Sequence, residues 1–543
     1  MKIFAYITMF TSAFLVTSCD LDKFPEGGTV TEDQKNEVIK DDPEKLSSDL
    51  NSLKDNMIQF GTISTASTKY HTDYGFPAIC LMYDQAGQDM VSDDHDFNWF
   101  GGPLTFSDRI PTSSLNTLIW KLHYQHIKSA NSILNTLYAS YPEAERTGLP
   151  ANYIGQALAS RAFDYLQLIQ TYQFTYIGHE ESLGLPIITE KTSAEDATNN
   201  PRATVKAVYD LIIADLNSAI DYLENNPIER SDKGQIDASV AYGLRARANM
   251  LLGNYAEAAS DADKALIMSN ATPYTKEEVS IPSFNNDAHS WIWGSIITSN
   301  NDVVTTGIVN WPSHLCSLTG NGYTTGTGVY FAMKRINNTL WNKIPETDIR
   351  KTWWLDEDKD SPALSKAYGV SGPDIIKTGI PYVSYVNVKF GPQGGELFNT
   401  ENSQDWPLMR AEEMILIKAE ALARSKDVAS GKEVLEDFVK SYRDDQYVCS
   451  SSSLEDFIDE VWFQRRVELW GEGFSLFDIL RLKKPIIRLN TNFADNVTYN
   501  DIAPESPIMI YCIPECETSS NKGITLDQIN EVAPAPIPVP VKK

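Results

Sequence analysis

Cysteine is scarce in this chain of 543 residues and basic residues are outnumbered by acidic ones, and each shortage removes a class of function. There are six cysteines; with Cys19 set aside for the reason given below, Cys80, Cys316, Cys449, Cys512 and Cys516 remain, and an odd remainder is not a disulfide framework. Cys512 and Cys516 are close, but Pro514 lies between them and no second pair follows, so they do not read as a zinc site and no metal is assigned. Buried thiols are expected. Forty-six Lys and Arg against 73 Asp and Glu leave a net charge of -27, which repels nucleic acid and anionic lipid, because phosphate binding needs clustered cations. No nucleic-acid partner is expected. HExxH, GxSxG, P-loop and dinucleotide signatures are missing, so neither a catalytic residue nor a cofactor is assigned. After the N-terminal segment no apolar run is long enough to span a bilayer, which predicts a soluble body. Hydrophobic residues, at 42%, still suffice for a large core.

The N-terminal segment carries the first positive signal. Lys2 precedes an apolar run, Ile3 to Val16, that is broken by Thr8, Thr11 and Ser12, which reads as a secretory signal and not as a membrane span. It ends in Val16, Thr17, Ser18 and Cys19, which resembles the bacterial lipobox, in which the cysteine is lipidated and becomes the first residue of the mature chain. At about 0.8 kcal/mol per buried methylene, several acyl chains would hold the protein on a membrane where one would not. An ordinary signal peptide with an incidental cysteine is the alternative.

Organisation follows from composition and periodicity. Residues 1–18 are assigned to the signal peptide and 19–40, acidic and poor in apolar residues, to a flexible tether. Residues 41–272 form an N-terminal helical region, 273–402 a loop-rich insert, 403–529 a C-terminal helical region and 530–543 a proline-rich tail. The expected fold is mainly α, a tetratricopeptide-like helical-repeat scaffold carrying an aromatic-rich binding region. Its clearest signal runs from Ala238 to Asn270, where Ala246, Gly253, Tyr255, Ala258, Ala262 and Ala265 sit where a closely packed helix pair needs small residues, a turn glycine and one aromatic. One such pair cannot bury its apolar face alone, so neighbours are expected at 115–138, 152–172, 204–223 and 409–443, each amphipathic at the helical spacing. A generic helical bundle is the alternative. The insert holds six of the eleven tryptophans, Trp291, Trp293, Trp311, Trp341, Trp353 and Trp354, among glycine-rich and β-branched stretches that predict loops and short strands.

Three segments carry a family resemblance. In WKLHYQHIKSAN, Trp120, Tyr124, Ile127 and Asn131 recur on one helical face, and SRAFDYLQLIQTY and GLPII follow; the others are DWPLMRAEEMILIKAEALARS and FQRRVELWGEGFSLFDILRLK, with YCIPECETSSN near the end. The chain resembles the SusD/RagB family of outer-membrane nutrient-binding lipoproteins. The resemblance implies capture of oligosaccharides or polysaccharides, or of peptides in some branches, for delivery to a TonB-dependent transporter of the SusC type. It also implies that Asp20, Asp22 and Glu26 help direct the protein to the outer face of the outer membrane, with the lipid as its sole membrane contact. Ligand contacts are expected from the loop before the Trp120 helix and from the insert, so Asp96, Asn98, Trp99, Trp291, Trp311 and Tyr323 are the candidate binding residues. Flat aromatics stack on pyranose faces while carboxylates and amides take the hydroxyls. Packing in the core is the competing role for each tryptophan, with Trp293 the rival of Trp291.

Read as chemistry, the motifs look structural. Glu420 and Arg424 stand four apart, Asp478 and Arg481 three apart, and Gly471 and Gly473 break the helix between Glu468 and Asp478, which predicts a corner held by charges. A surface glycoside hydrolase using Glu468 and Glu472 as its acid and base is the rival from another class. Two acidic stretches match a calcium loop only in part: Asp94, Asp96 and Asn98 lack its glycine and distal acid, since Trp99 and Thr105 stand there, and Asp356, Asp358 and Asp360 are followed by Ser361.

Overall fold

A computed structural model describes residues 32–93, 97–324 and 332–539. The lipobox Cys19 and the acids Asp20, Asp22 and Glu26 lie outside the described residues, as does Asp96. The principal helices are α1 (Glu32–Asp41), α2 (Ser47–Asp55), α3 (Phe76–Ala86), α4 (Ser114–Ser140), α5 (Gly148–Tyr172) and α6 (Val205–Asn225). They continue as α7 (Ala238–Leu252), α8 (Tyr255–Ser269), α9 (Ala411–Ser425), α10 (Val428–Tyr442), α11 (Leu454–Glu468) and α12 (Ser475–Arg481). Four short strands accompany them: β1 (Met90–Val91), β2 (Trp291–Ser295), β3 (Arg335–Ile336) and β4 (Trp406–Arg410).

The repeat-like stretch folds as its small residues dictate. Asp237 caps α7 by accepting from the Val240 N–H at 3.2 Å, and Gly253 ends the helix at φ 79°, a conformation that costs a residue with a Cβ. Ala246, Ala258, Ala262 and Ala265 are fully buried, so the faces of α7 and α8 meet with little between them. Arg245 ties the pair together, donating from Nε and Nη2 to both carboxylate oxygens of Asp261 at 2.8 Å. The same neighbour-to-neighbour packing runs from α4 through α8, and α8 then packs on α9 although residues 270–410 intervene. The repeat stack is therefore continuous in space while the chain leaves it and returns.

Two expectations need correction. The tether expected to reach residue 40 is helical from Glu32: α1 lies against α4, Ile39 is buried, and the Ser140 and Tyr141 hydroxyls donate to the carbonyls of Asn36 and Ile39 at 3.0 and 2.6 Å. An acidic composition hid a helix with one buried face. The segment 409–443 is not one amphipathic run: it holds the end of β4 and a second helix pair, α9 and α10, split where Asp427 caps α10 by accepting from the Ser430 N–H at 2.7 Å.

The insert is built around aromatics. β2 pairs antiparallel with β4, Trp291 opposite Arg410 and Ser295 opposite Trp406, and every residue of both strands is buried. β1 pairs with β3, joining the insert to the N-terminal region. Beside the sheets lies a buried ionic cluster. Glu468 accepts from Arg443 Nε at 2.8 Å, and Glu472 from Lys389 at 2.7 Å and Arg410 at 2.9 Å. Glu412 pairs with Arg410 at 2.7 Å and Arg443 at 3.1 Å. These six residues come from the insert, β4, α9, α11 and the turns after α10 and α11, so the cluster ties the insert to the C-terminal helices.

The remaining motifs are joints as well. Tyr124 and Asn131 donate to the carbonyls of Pro186 and Ile188 at 2.8 and 3.1 Å, so the Trp120 face grips the GLPII segment, and Trp120 itself donates to Glu517 at 3.2 Å. The corner after α11 turns at Gly471 (φ 84°) and Gly473 (φ 90°), and a Cβ on Gly473 would lie 2.7 Å from that of Cys80. Asp478 then bridges Arg465 at 2.8 Å and Arg481 at 2.7 Å, and Arg481 reaches Glu420, which also pairs with Arg424. Cys80, Cys316, Cys449 and Cys512 are buried free thiols; Cys516 is half-buried.

Candidate functional site

The loop that precedes α3 is pinned from within. Asp73 is fully buried, and its carboxylate accepts from the N–H groups of Gly61, Thr62, Ile63 and Ser64 at 2.7 to 3.2 Å. This folds the loop into a fixed shape that presents His71. A second pin lies under the neighbouring loop. Asn98 donates to Ser92 Oγ at 3.1 Å and to the Asp93 carbonyl at 2.9 Å, and its own oxygen accepts from Lys334 at 3.2 Å. The next residue, Trp99, is thereby held at the surface.

Trp99 and His71 meet face to face, with centroids 4.2 Å apart and planes within 7°. Trp99 is 41% exposed, so one face of the indole rests on the imidazole and the ring still offers surface to solvent. Tyr323 stands edge-on to both rings, and its hydroxyl bonds His71 Nδ1. Beneath it His314 leans on Tyr323 and stacks on Tyr74. The assembly is electrically quiet. Burial pulls the pKa of His71 below its ordinary 6.5, and burial with the nearby Lys334 pulls His314 well below it, so both rings are neutral at pH 7. Burial also pushes the Tyr323 hydroxyl up. Burial pushes the pKa of Lys334 down to about 7, against the opposing pull of Asp93.

Of the six residues expected to bind, the structure brings Asn98, Trp99 and Tyr323 together, in different capacities. Trp99 is the exposed platform, Tyr323 its buried flank, and Asn98 a buried support whose amide is occupied by the protein. Asp96 lies outside the described residues. Trp291 and Trp311 do not form an opposing wall: they are 1% and 3% exposed, Trp311 donates to the Gln404 carbonyl at 2.9 Å, and its ring packs edge-on against Trp406. Their richness in the sequence reflects the insert's core, and Trp293, also buried, donates to the Gly234 carbonyl. His71 and His314 are not among the residues expected from the sequence. KYHTDY, with aromatic and polar residues interleaved as in HDFNWF, was the available signal for His71.

The carboxylates weighed for catalysis are committed elsewhere. Burial alone would raise the pKa of Glu468, but Arg443, Arg410 and Arg350 hold it far below the carboxylate range; Arg410 and Lys389 likewise hold Glu472 down against burial. Neither offers the raised pKa that a general acid at neutral pH requires. Asp356 and Asp360 accept backbone N–H groups of Asp360, Ser361 and Gly372, which closes a turn. Among the described residues no three His, Cys, Asp or Glu side chains converge as metal ligands.

Comparison with known proteins places the scaffold. Residues 345–529 match the model described as SusD family, and residues 30–250 match a SusD-like model described as starch-binding associating with outer membrane. The chain belongs to the SusD family. It is 24% identical over 418 residues to the SusD-like protein P38 of Formosa agariphila, covering 69% of this chain and 74% of that one. A SusD-like carbohydrate binding protein from Bacteroides vulgatus superposes with a TM-score of 0.72 at 25% identity, covering 90% of this chain and 98% of its own. The surface glycan-binding protein A from Bacteroides thetaiotaomicron, solved with laminarihexaose, superposes at 0.58 and 17% identity, covering 88% and 98%. The helical-repeat scaffold is thus a SusD fold. Of the platform, His71 and Trp99 fall within the first matched stretch and Tyr323 within the unmatched interval 251–344. No helix among the described residues is long and apolar enough to cross a membrane.

Proposed function

We propose that this SusD-family protein is a lipoprotein of the outer cell surface, anchored through Cys19, that binds neutral oligosaccharide or polysaccharide on Trp99 and passes it to a SusC-type TonB-dependent transporter. One observation carries the binding reading: an indole 41% exposed, backed face to face by a neutral imidazole at 4.2 Å. A pyranose presents a face of C–H groups, and a flat, uncharged, immobilised ring receives it with little ordering cost. The family match supports the class of ligand, and the Bacteroides protein with laminarihexaose makes laminarin the first polysaccharide to try. Binding without hydrolysis is supported by Glu468 and Glu472, both locked in ion pairs within the core.

The test is titration of the purified protein and its Trp99→Ala variant with laminarin, starch and other glycans, with hydrolysis products and melting temperature followed alongside. The variant should lose about 1 to 3 kcal/mol of binding, by analogy with stacking of other rings on aromatics, at nearly unchanged melting temperature. Undiminished affinity would remove the site, and released oligosaccharide would restore an enzymatic reading. Purification in mild detergent should recover the transporter with the protein at stoichiometric yield.

A further inference from the structure

Trp99 and Tyr323 sit on separate loops, and one pair of short strands lies between them. β1 meets β3 with Val91 opposite Arg335; from there one branch leads on to Asn98 and Trp99, the other back to Ala332, whose N–H donates to the Tyr323 carbonyl at 2.9 Å. Two cations stand at this junction. Arg335 donates to Asp93 at 2.6 Å, one charge matched by another. Lys334 is fully buried and meets two uncharged acceptors instead: its Nζ donates to the Asn98 side-chain oxygen at 3.2 Å and to the Ala332 carbonyl at 3.0 Å.

These two bonds fall on opposite sides of the platform. Asn98 is the residue before Trp99, held also by Ser92 and the Asp93 carbonyl. Ala332 is bonded to Tyr323, which stands edge-on to both stacked rings. A cation buried among neutral acceptors costs free energy that a matched charge would offset. Methionine would fill the same length without that cost, so what the amine contributes here is its hydrogen bonds. Losing them would loosen the indole against its flank while leaving every ring of the platform in the chain.

We propose that Lys334 is a positioning residue of the platform, holding the loop of Trp99 in register with the loop of Tyr323, an inference that rests on the binding role read for Trp99. A neutral amine has two N–H groups, as many as the acceptors served here, so the junction is complete without the charge. The charged and titratable groups that face Lys334 are Asp93 and Arg335, paired with each other, and the neutral ring of His314. With a folded pKa of about 7 against an ordinary 10.5, Lys334 sheds in the folded protein a proton that the unfolded chain keeps between those values. The penalty for burying the charge is therefore full below pH 7 and is relieved as pH rises toward 10.5.

Lys334→Met tests the assignment in three ways. Titrated with laminarin, it should bind about threefold to tenfold more weakly than wild type, and in a Trp99→Ala background it should add no further loss. In protein labelled with 5-fluorotryptophan, the Trp99 fluorine resonance, assigned by its disappearance in Trp99→Phe, should shift in Lys334→Met with no glycan present. Denaturant melts from pH 7.5 to 9.5 should show the wild-type unfolding constant falling, relative to the variant, by up to about tenfold per pH unit. Should Lys334→Met fail to fold, Lys334→Gln, which keeps an N–H donor, replaces it with a smaller loss expected. An unshifted resonance, a loss of affinity that persists in the Trp99→Ala background, or parallel pH profiles would each overturn the proposal. Full laminarin affinity in Trp99→Ala would instead remove the platform reading, and the fluorine resonance would still decide whether Lys334 positions the indole.

Discussion

His71 offers the platform its back and not its face, so replacing it should weaken glycan binding from a distance. His71→Ala removes a ring stacked at 4.2 Å and 7° on Trp99 and frees the hydroxyl of Tyr323. A stacked aromatic pair contributes about 0.5 to 1.5 kcal/mol beyond buried area. Without it the indole gains rotational freedom that the glycan must remove, so the same energy leaves the binding constant. The expected loss is about twofold to tenfold, smaller than that of Trp99→Ala. Titration of laminarin against wild type, both single variants and the double variant separates this from direct contact. If His71 acts only through Trp99, the double variant binds no worse than Trp99→Ala, and the coupling energy equals the whole His71 effect. Two additive losses, or a His71→Ala variant with full affinity, would refute the reasoning. The pH dependence gives a further check. Burial holds the His71 pKa below 6.5, so the neutral ring, and the stability that goes with it, is present above 6.5 and is lost as pH falls through the lower folded value. Affinity should accordingly be level from about pH 6.5 to 8.

Glu468→Gln leaves buried Arg443, Arg350 and Arg410 short of a charge; breaking a buried pair costs about 3 to 5 kcal/mol, and at about 1 kcal/mol per degree for a chain this long the melting temperature should fall by about 3 to 5 °C. An unchanged melting curve would contradict the cluster's role. His126 sits between Asp164 and the Leu53 carbonyl, both at 2.6 Å, so both ring nitrogens donate; burial opposes the charge, but Asp164 outweighs it and raises the pKa. Its contribution is therefore full below 6.5 and lost as pH rises through the folded value, and His126→Gln should flatten the stability profile above 6.5, as denaturant melts at stepped pH would report. Cys19→Ala should abolish fatty-acid labelling and surface attachment; label persisting in the variant would overturn the lipobox reading.

The helices and joints were legible because their signals are local. Small residues at helical spacing from Ala246 to Ala265, a glycine with positive φ at 253 and charge pairs three or four apart each state a requirement that neighbouring residues meet. The site was legible only in part. Trp99 could be read from its loop, but the partner that makes it a platform, His71, lies 28 positions earlier and is brought there by Asp73 binding four backbone N–H groups. Trp291 and Trp311 misled for the converse reason: a tryptophan in a glycine-rich stretch looks like a surface ring until β2 pairs with β4 and closes the core over it. In α1 the acidic residues outnumber the buried ones, and Ile39 alone did not reveal the packing.

The distribution of charge separates the framework from the surface that Trp99 offers. Its fixed ions point inward: Glu412, Glu468, Glu472 and Asp478 are all buried and matched by arginine or lysine, so these carboxylates are satisfied without reference to any ligand. The platform follows the opposite rule. His71 and Trp99 sit on loops whose shape is set by other residues, Asp73 and Asn98, through bonds to backbone and to Lys334. The side chains that fix the loops are therefore not the ones proposed to meet the glycan. Replacing Trp99 alters what the surface offers, while the loops keep their course, because Asp73 and Asn98 still hold the same N–H and carbonyl groups. Replacing Asp73 does the reverse, leaving His71 in place in the sequence but no longer held against Trp99.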